Sequence, residues 1–243
     1  MKLYTVGCSF TYGHILPEQS KDDFVRNAPD WSWPNHFNHD FEEVVNAGWS
    51  GGSNKRIVRR AFEFFSTIRH PSEWVAVIQL TEPYRTEFFD PVIQRYVGVV
   101  NGSPVLDDKS ATEKNLDRLE ISRRAKMPIN YFTMFMDHEQ VTISLFEKII
   151  ALSAYLDKKN VKHIYTGMMH RCLPRHIVET CKSPYANELY GLLPHQNIVD
   201  LPCTALLNYT DDVQSATDQH PNSIGHKKIY EYIHSELKVR GHL

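Results

Sequence analysis

Two kinds of apolar run alternate along the chain. Short, nearly unbroken ones occur at Leu3 to Val6, Glu43 to Ala47, Glu73 to Leu80, Val161 to Gly167 and Asn197 to Leu201. Their length is that of strands, and the continuity of the third matches a strand covered on both faces of a parallel sheet. Between them, apolar residues recur at three- and four-residue spacing. Ile57, Val58, Ala61, Phe62, Phe65 and Ile68 predict a helix from Asn54 to Arg69, and Leu145, Ile149, Leu152 and Leu156 one from Val141 to Lys159. Ile229, Ile233 and Leu237 predict a closing helix that stops near Gly241. Strands alternating with helices predict an α/β protein, a three-layer sandwich around a mostly parallel sheet.

The pattern breaks down from about residue 84 to 140. There Asn101-Gly102 suggests a hairpin and Leu116 to Lys126 a charged helix, so the stretch reads as an insertion over the sheet edge. In the first helix, Lys55, Arg56, Arg59 and Arg60 lie opposite the apolar stripe and read as a solvated basic face. A length of 243 residues suits one domain spanning 1–243. A net charge of -2 with 23% charged residues gives no electrostatic reason to expect a nucleic acid or membrane partner. The amino terminus enters a strand pattern directly, without signal-peptide character, and no apolar run approaches membrane-span length. Cys8, Cys172, Cys181 and Cys203 lack CxxC spacing, and reduced thiols in a cytoplasm are expected.

The chemistry-bearing residues lie where the pattern changes. After the first strand, Gly7-Cys8-Ser9-Phe10-Thr11-Tyr12-Gly13 forms a turn, and a serine there stands at a strand's carboxyl end among main-chain N–H groups. Ser9 is therefore the candidate nucleophile. Alternation turns Cys8 to the opposite side, as a small buried apolar residue. The glycine-rich Gly48 to Asn54 can bring bare main chain against a ligand but lacks GxGxxG and the P-loop lysine, so no nucleotide is expected. Near the other end, Asp218-Gln219-His220-Pro221-Asn222 holds His220 extended before a proline, suited to a base presented from a loop. The 13 histidines include no carboxylate–histidine set with metal-site spacing, so neither metal nor other cofactor is expected.

Taken together, Gly7 to Gly13, Asn46 to Ser53 and Asp218 to Asn222 resemble the sequence blocks of the SGNH hydrolase superfamily, the GDSL-like esterases and lipases, in a divergent branch of phage and bacterial type. The resemblance implies a flavodoxin-like central sheet and a Ser-His(-Asp) mechanism on an acyl ester of a carbohydrate or small polar substrate. It implies Ser9 as nucleophile, His220 as base, and the N–H groups of Ser9 and Gly51 as oxyanion donors. Two positions depart from it. Where the family carries an oxyanion-hole asparagine, this chain reads Leu80-Thr81-Glu82-Pro83, leaving Thr81 as substitute donor. Where the family places its acid, three residues before the histidine, stands Thr217; Asp218, two before, is the candidate orienting acid, with Asp212 or a main-chain carbonyl as alternatives. Tyr84, Arg85, Arg95 and Tyr96 of the insertion are candidate substrate contacts. The missing asparagine keeps open a non-catalytic carbohydrate-binding or virion-structural protein, and the same site could also serve an acyltransferase that passes the acyl group to a sugar hydroxyl.

Overall fold

The computed structural model describes residues 1–13, 30–90, 95–100, 103–106, 137–214 and 219–243. β1 (Lys2–Val6) runs into the four-residue α1 (Ser9–Tyr12), and β2 (Glu43–Asn46) leads through the glycine-rich turn to α2 (Asn54–Thr67) and β3 (Trp74–Leu80). Three strands of the irregular region follow, β4 (Thr86–Asp90), β5 (Arg95–Val100) and β6 (Ser103–Leu106). The chain then continues with α3 (His138–Lys158), β7 (Lys162–Gly167), α4 (Pro174–Glu179), α5 (Pro184–Gly191) and α6 (Ser223–Val239).

The main sheet is wholly parallel, in the order β2-β1-β3-β7, with Val6 level with Ile78 and Leu80 level with Gly167. Every residue of β3 is buried, so its continuous apolar run has the two-sided cover expected of a central parallel strand. Alternation sorts the side chains. Tyr4, Val6, Ala76, Ile78 and Leu80 pack under Ile57, Ala61 and Phe65 of α2 and Leu145, Ile149 and Leu152 of α3. Leu3, Val75, Val77 and Ile164 face Ile229, Ile233 and Leu237 of α6, with Trp33 and Phe37. These are the three layers predicted from the hydrophobic pattern.

Three expectations change. The stretch 197–201 contributes a single parallel bridge, Tyr165 to Ile198, and not a full strand, because a 3₁₀ turn at His195–Asn197 delays its extension. The hairpin is three-stranded and antiparallel, with β4 preceding the expected pair. It docks on two of the basic residues of α2 that read as solvated, Lys55 and Arg59, while Arg56 is buried against Trp49 and the Ala47 carbonyl. The Arg59 guanidinium donates to both carboxylate oxygens of Glu87 on β4, at 2.8 and 3.0 Å, and Lys55 Nζ donates to the Glu87 carbonyl at 2.9 Å. Glu87 is buried, and a buried carboxylate needs such partners. Lys55 and Arg60 of the cluster remain exposed, Arg60 paired with Glu63. The expected helix at 116–126 lies outside the described residues, as does the Asn101-Gly102 turn.

Candidate active site

At the carboxyl end of β1 the chain bends through Cys8, extended at φ -93° and ψ -154°, into α1, which Gly13 ends in the left-handed conformation at φ 85°. This bend places Ser9 past the strand end. His220 approaches from the loop before α6, and its Nε2 lies 2.8 Å from Ser9 Oγ, a contact between residues 211 positions apart. Ser9 is 3% exposed, while His220 is partly exposed and tilts against Phe10 with ring centroids 5.5 Å apart.

The His220 loop is held from both sides. Val213 and Pro221 form an antiparallel bridge, and Gln214 N donates to the His220 carbonyl at 2.9 Å. The Asn222 amide caps α6 through the N–H groups of Ile224 and Gly225 and donates to the carbonyls of Asp211 and Val213. Asp212 is committed elsewhere and is not positioned as the orienting acid. Its Oδ2 accepts from Lys228 Nζ and from Asn208 N. Burial would raise this carboxyl, but those hydrogen bonds outweigh burial and hold it below the ordinary range. Asp218 lies outside the described residues.

The glycine-rich turn lies against the nucleophile's backbone. Trp49 N donates to Gly7 O at 3.1 Å, Gly51 turns the chain at φ 78°, and a methyl group on Gly52 would stand 3.1 Å from Gly7 O. Gly52 is thus favoured by close approach, since any side chain would crowd Gly7 O, and Gly51 by its left-handed backbone. Two asparagines to which the sequence reading gave no role of their own, Asn46 in the second strand and Asn54 where the turn opens the helix, fasten the ends of the turn. Asn46 donates to Thr11 O of α1 at 2.9 Å and accepts from Gly48 N. Asn54 accepts from Thr81 N at 2.9 Å and donates to Thr81 O at 2.8 Å. Both were visible only as polar residues flanking glycines, a signal shared with ordinary turn and cap positions.

Beneath Ser9 a buried polar chain links α1 to the sheet. Thr11 Oγ1 donates to Gln79 Oε1 at 2.8 Å, and Gln79 Nε2 donates to Cys203 Sγ. Burial pushes the Cys203 thiol up to about 11 and that of Cys172 to about 12, so both are protonated packing groups at neutral pH. Cys8 is fully buried, as its alternation implied.

The other expected contacts fall on two surfaces. Beyond Thr81, the Glu82 carboxylate pairs with Arg85 and with Arg171 from the turn after β7. Tyr84, 51% exposed, hydrogen-bonds His138 Nδ1. Tyr96 instead lies with its ring 3.7 Å from the Arg59 guanidinium, within the contact that docks the hairpin on α2. The Arg95 side chain is outside the described residues. Among the described residues no cluster of three or more His, Cys, Asp or Glu side chains could hold a metal ion.

No family model matches this chain, and no curated protein matches it in sequence. Solved structures do. TesA is similar with a TM-score of 0.51 at 14% identity, over 98% of this chain and 99% of that one. A member of the lipolytic protein G-D-S-L family from Veillonella parvula DSM 2008 gives 0.46 at 11% identity, over 96% of each chain. LAE5, an α/β hydrolase enzyme from the metagenome of Lake Arreo, Spain, gives 0.45 at 15% identity, over 98% of this chain and 94% of that one. The likeness to TesA shows a shared fold, the mostly parallel three-layer α/β sandwich described above. No helix among the described residues is long and apolar enough to cross a membrane.

Proposed function

We propose that the protein is a serine esterase that removes an acyl group, such as acetyl, from a carbohydrate or another small polar acceptor. The observation that carries the reading is the Ser9–His220 contact of 2.8 Å, formed across 211 residues at the carboxyl end of a parallel sheet, where ligands of open α/β folds bind. In this mechanism His220 Nε2 takes the Ser9 proton as Oγ attacks the ester carbonyl, and the carbonyl π electrons move onto oxygen. On collapse, the acceptor's alkoxide leaves with the proton from His220, giving an acyl-enzyme. Water, deprotonated by the same nitrogen, then releases the acid and restores Ser9. The N–H groups of Ser9 and Gly51 are the expected main-chain donors to the oxyanion.

The charged rim beyond Thr81, where Glu82 pairs with Arg85 and Arg171, supports a polar acceptor over a long aliphatic chain. A sugar hydroxyl in place of water would make the same site an acyltransferase. The deciding experiment is covalent labelling with a fluorophosphonate, followed by mapping of the adduct. The expected result is one adduct on Ser9, absent in Ser9→Ala. Folded wild-type protein that takes no label would favour the binding-module reading.

A further inference from the structure

Thr81 and Asn54 form a unit that the Ser–His pair does not explain. Leu80 O accepts from Met168 N, which follows β7, at 2.9 Å. Successive residues of a strand point their main-chain groups to opposite sides, so those of Thr81 face the β1 side. β1 pairs with β3 only as far as Val6 and Ile78. Past that point the Asn54 side chain takes up the ladder, its amide matching both Thr81 N and Thr81 O at 2.9 and 2.8 Å. It fills the position a continued β1 would occupy, beside the Gly7-Cys8-Ser9 bend. Gly52, two residues earlier, lies against Gly7 O.

This clamp is buried, with Asn54 4% and Thr81 0% exposed. Within it the Thr81 hydroxyl has no hydrogen-bond partner among the described residues. A buried hydroxyl without a partner destabilises a fold, and valine would fill the same shape with a methyl group in its place. The nucleophile is almost as enclosed, at 3%, so exposure does not separate the two groups.

We propose that Asn54 is a positioning residue that locks the end of β3 so that the Thr81 hydroxyl donates to the oxyanion formed at Ser9. This rests on the esterase reading and deepens it. The hydroxyl meets its acceptor only when the carbonyl oxygen gains charge, so the interaction acts on turnover more than on substrate binding. Asn54 touches neither substrate nor reacting atoms and acts through Thr81 alone.

The test is a double-mutant cycle on the full chain, read by hydrolysis of p-nitrophenyl acetate, by the rate of Ser9 labelling with a fluorophosphonate, and by thermal melting. Thr81→Val is expected to lower kcat about 10²-fold with KM little changed, while Tm holds or rises. Thr81→Ser, which keeps the hydroxyl, should retain most of the rate. Asn54→Ala should lose a similar factor, and the double variant should be no slower than Thr81→Val, because Asn54 has nothing left to position. If Asn54→Ala does not fold, Asn54→Asp, which keeps the acceptor for Thr81 N, takes its place in the cycle with the same non-additivity expected. Wild-type rates in Thr81→Val, or losses that multiply in the double variant, overturn the proposal while wild-type labelling leaves the esterase reading standing. Wild-type protein without label on Ser9 overturns both.

Discussion

The described residues include two serine–histidine contacts of nearly equal length, and only one is built for chemistry. Ser9 and His220 meet at 2.8 Å at the end of β1, and Ser153 of α3 and His163 of β7 meet at 3.0 Å between helix and sheet. Both serines are buried. The difference lies in the histidines. His163 is 2% exposed, its Nδ1 faces the Val161 carbonyl at 3.1 Å, and its Nε2 accepts from Asn197 Nδ2 at 3.0 Å. Ser153 Oγ in turn donates to the Tyr165 hydroxyl at 3.1 Å. The lone pair a general base would use is already occupied, and no substrate reaches it. His220 stands partly exposed at a sheet edge, on a loop whose main chain is fixed by its own bridge and cap. Distance between two polar atoms does not make a catalytic pair; access to the base does.

The sharpest way to break this comparison is to delete each serine. Ser9→Ala and His220→Ala should each abolish fluorophosphonate labelling and lower ester hydrolysis by about 10⁴-fold or more, with melting close to wild type. Ser153→Ala should leave labelling intact. Loss of label in Ser153→Ala with the fold preserved would reverse the assignment.

The second pair answers to stability. Ser153→Ala leaves the buried Tyr165 hydroxyl and His163 Nε2 each with one partner fewer, and should cost about 1–3 kcal/mol in urea unfolding. Ser9→Ala should cost well under that, since Ser9 Oγ is tied to a partly exposed ring. Equal costs at the two sites would show that His220 is as locked as His163.

The contrast also marks how far the sequence reads. Ser9 and His220 were legible because each sits at a punctuation point, a glycine-broken strand end and a histidine before proline, and the family resemblance paired them; hydrophobic periodicity supplied the alternating strands and helices but not the strand order. Asn54 was not, since as the first residue of an amphipathic helix it looks like a terminus, and its partner lies 27 residues away. The basic face of α2 was misread in part, at Arg56 and Arg59, for the same reason. Nothing near Arg59 in sequence predicts that Glu87, on a strand of mixed pattern, will cover it. What a residue does locally shows in the chain, whereas pairings made across the fold show only when both partners carry their own signals.

The smallest expected effect is a slope of stability with pH, and it separates the histidines by environment. Burial disfavours the imidazolium of His163 and lowers its pKa, although the Val161 carbonyl and the Asp157 carboxylate, 3.8 Å away, oppose the shift. The unfolded chain therefore binds a proton near the ordinary histidine value of about 6.5, while the folded protein takes it up only at lower pH. Stability from this group is complete above that pH and declines as pH falls below it. His226, fully buried with Nδ1 accepting from Trp33 N, is pushed down to about 3 by burial, with His36 and His220 adding to the shift, and contributes in the same direction from about 6.5 down to about 3. Urea unfolding at pH 7.5 and pH 5.0 should show the wild type losing stability at the lower pH. His163→Gln, although less stable at pH 7.5, should lose less between the two, since only His226 and the less buried histidines still take up protons there. A drop as steep as wild type in His163→Gln would mean that burial does not keep His163 neutral in the folded protein, and the enclosure that distinguishes it from the partly exposed His220 would carry no weight.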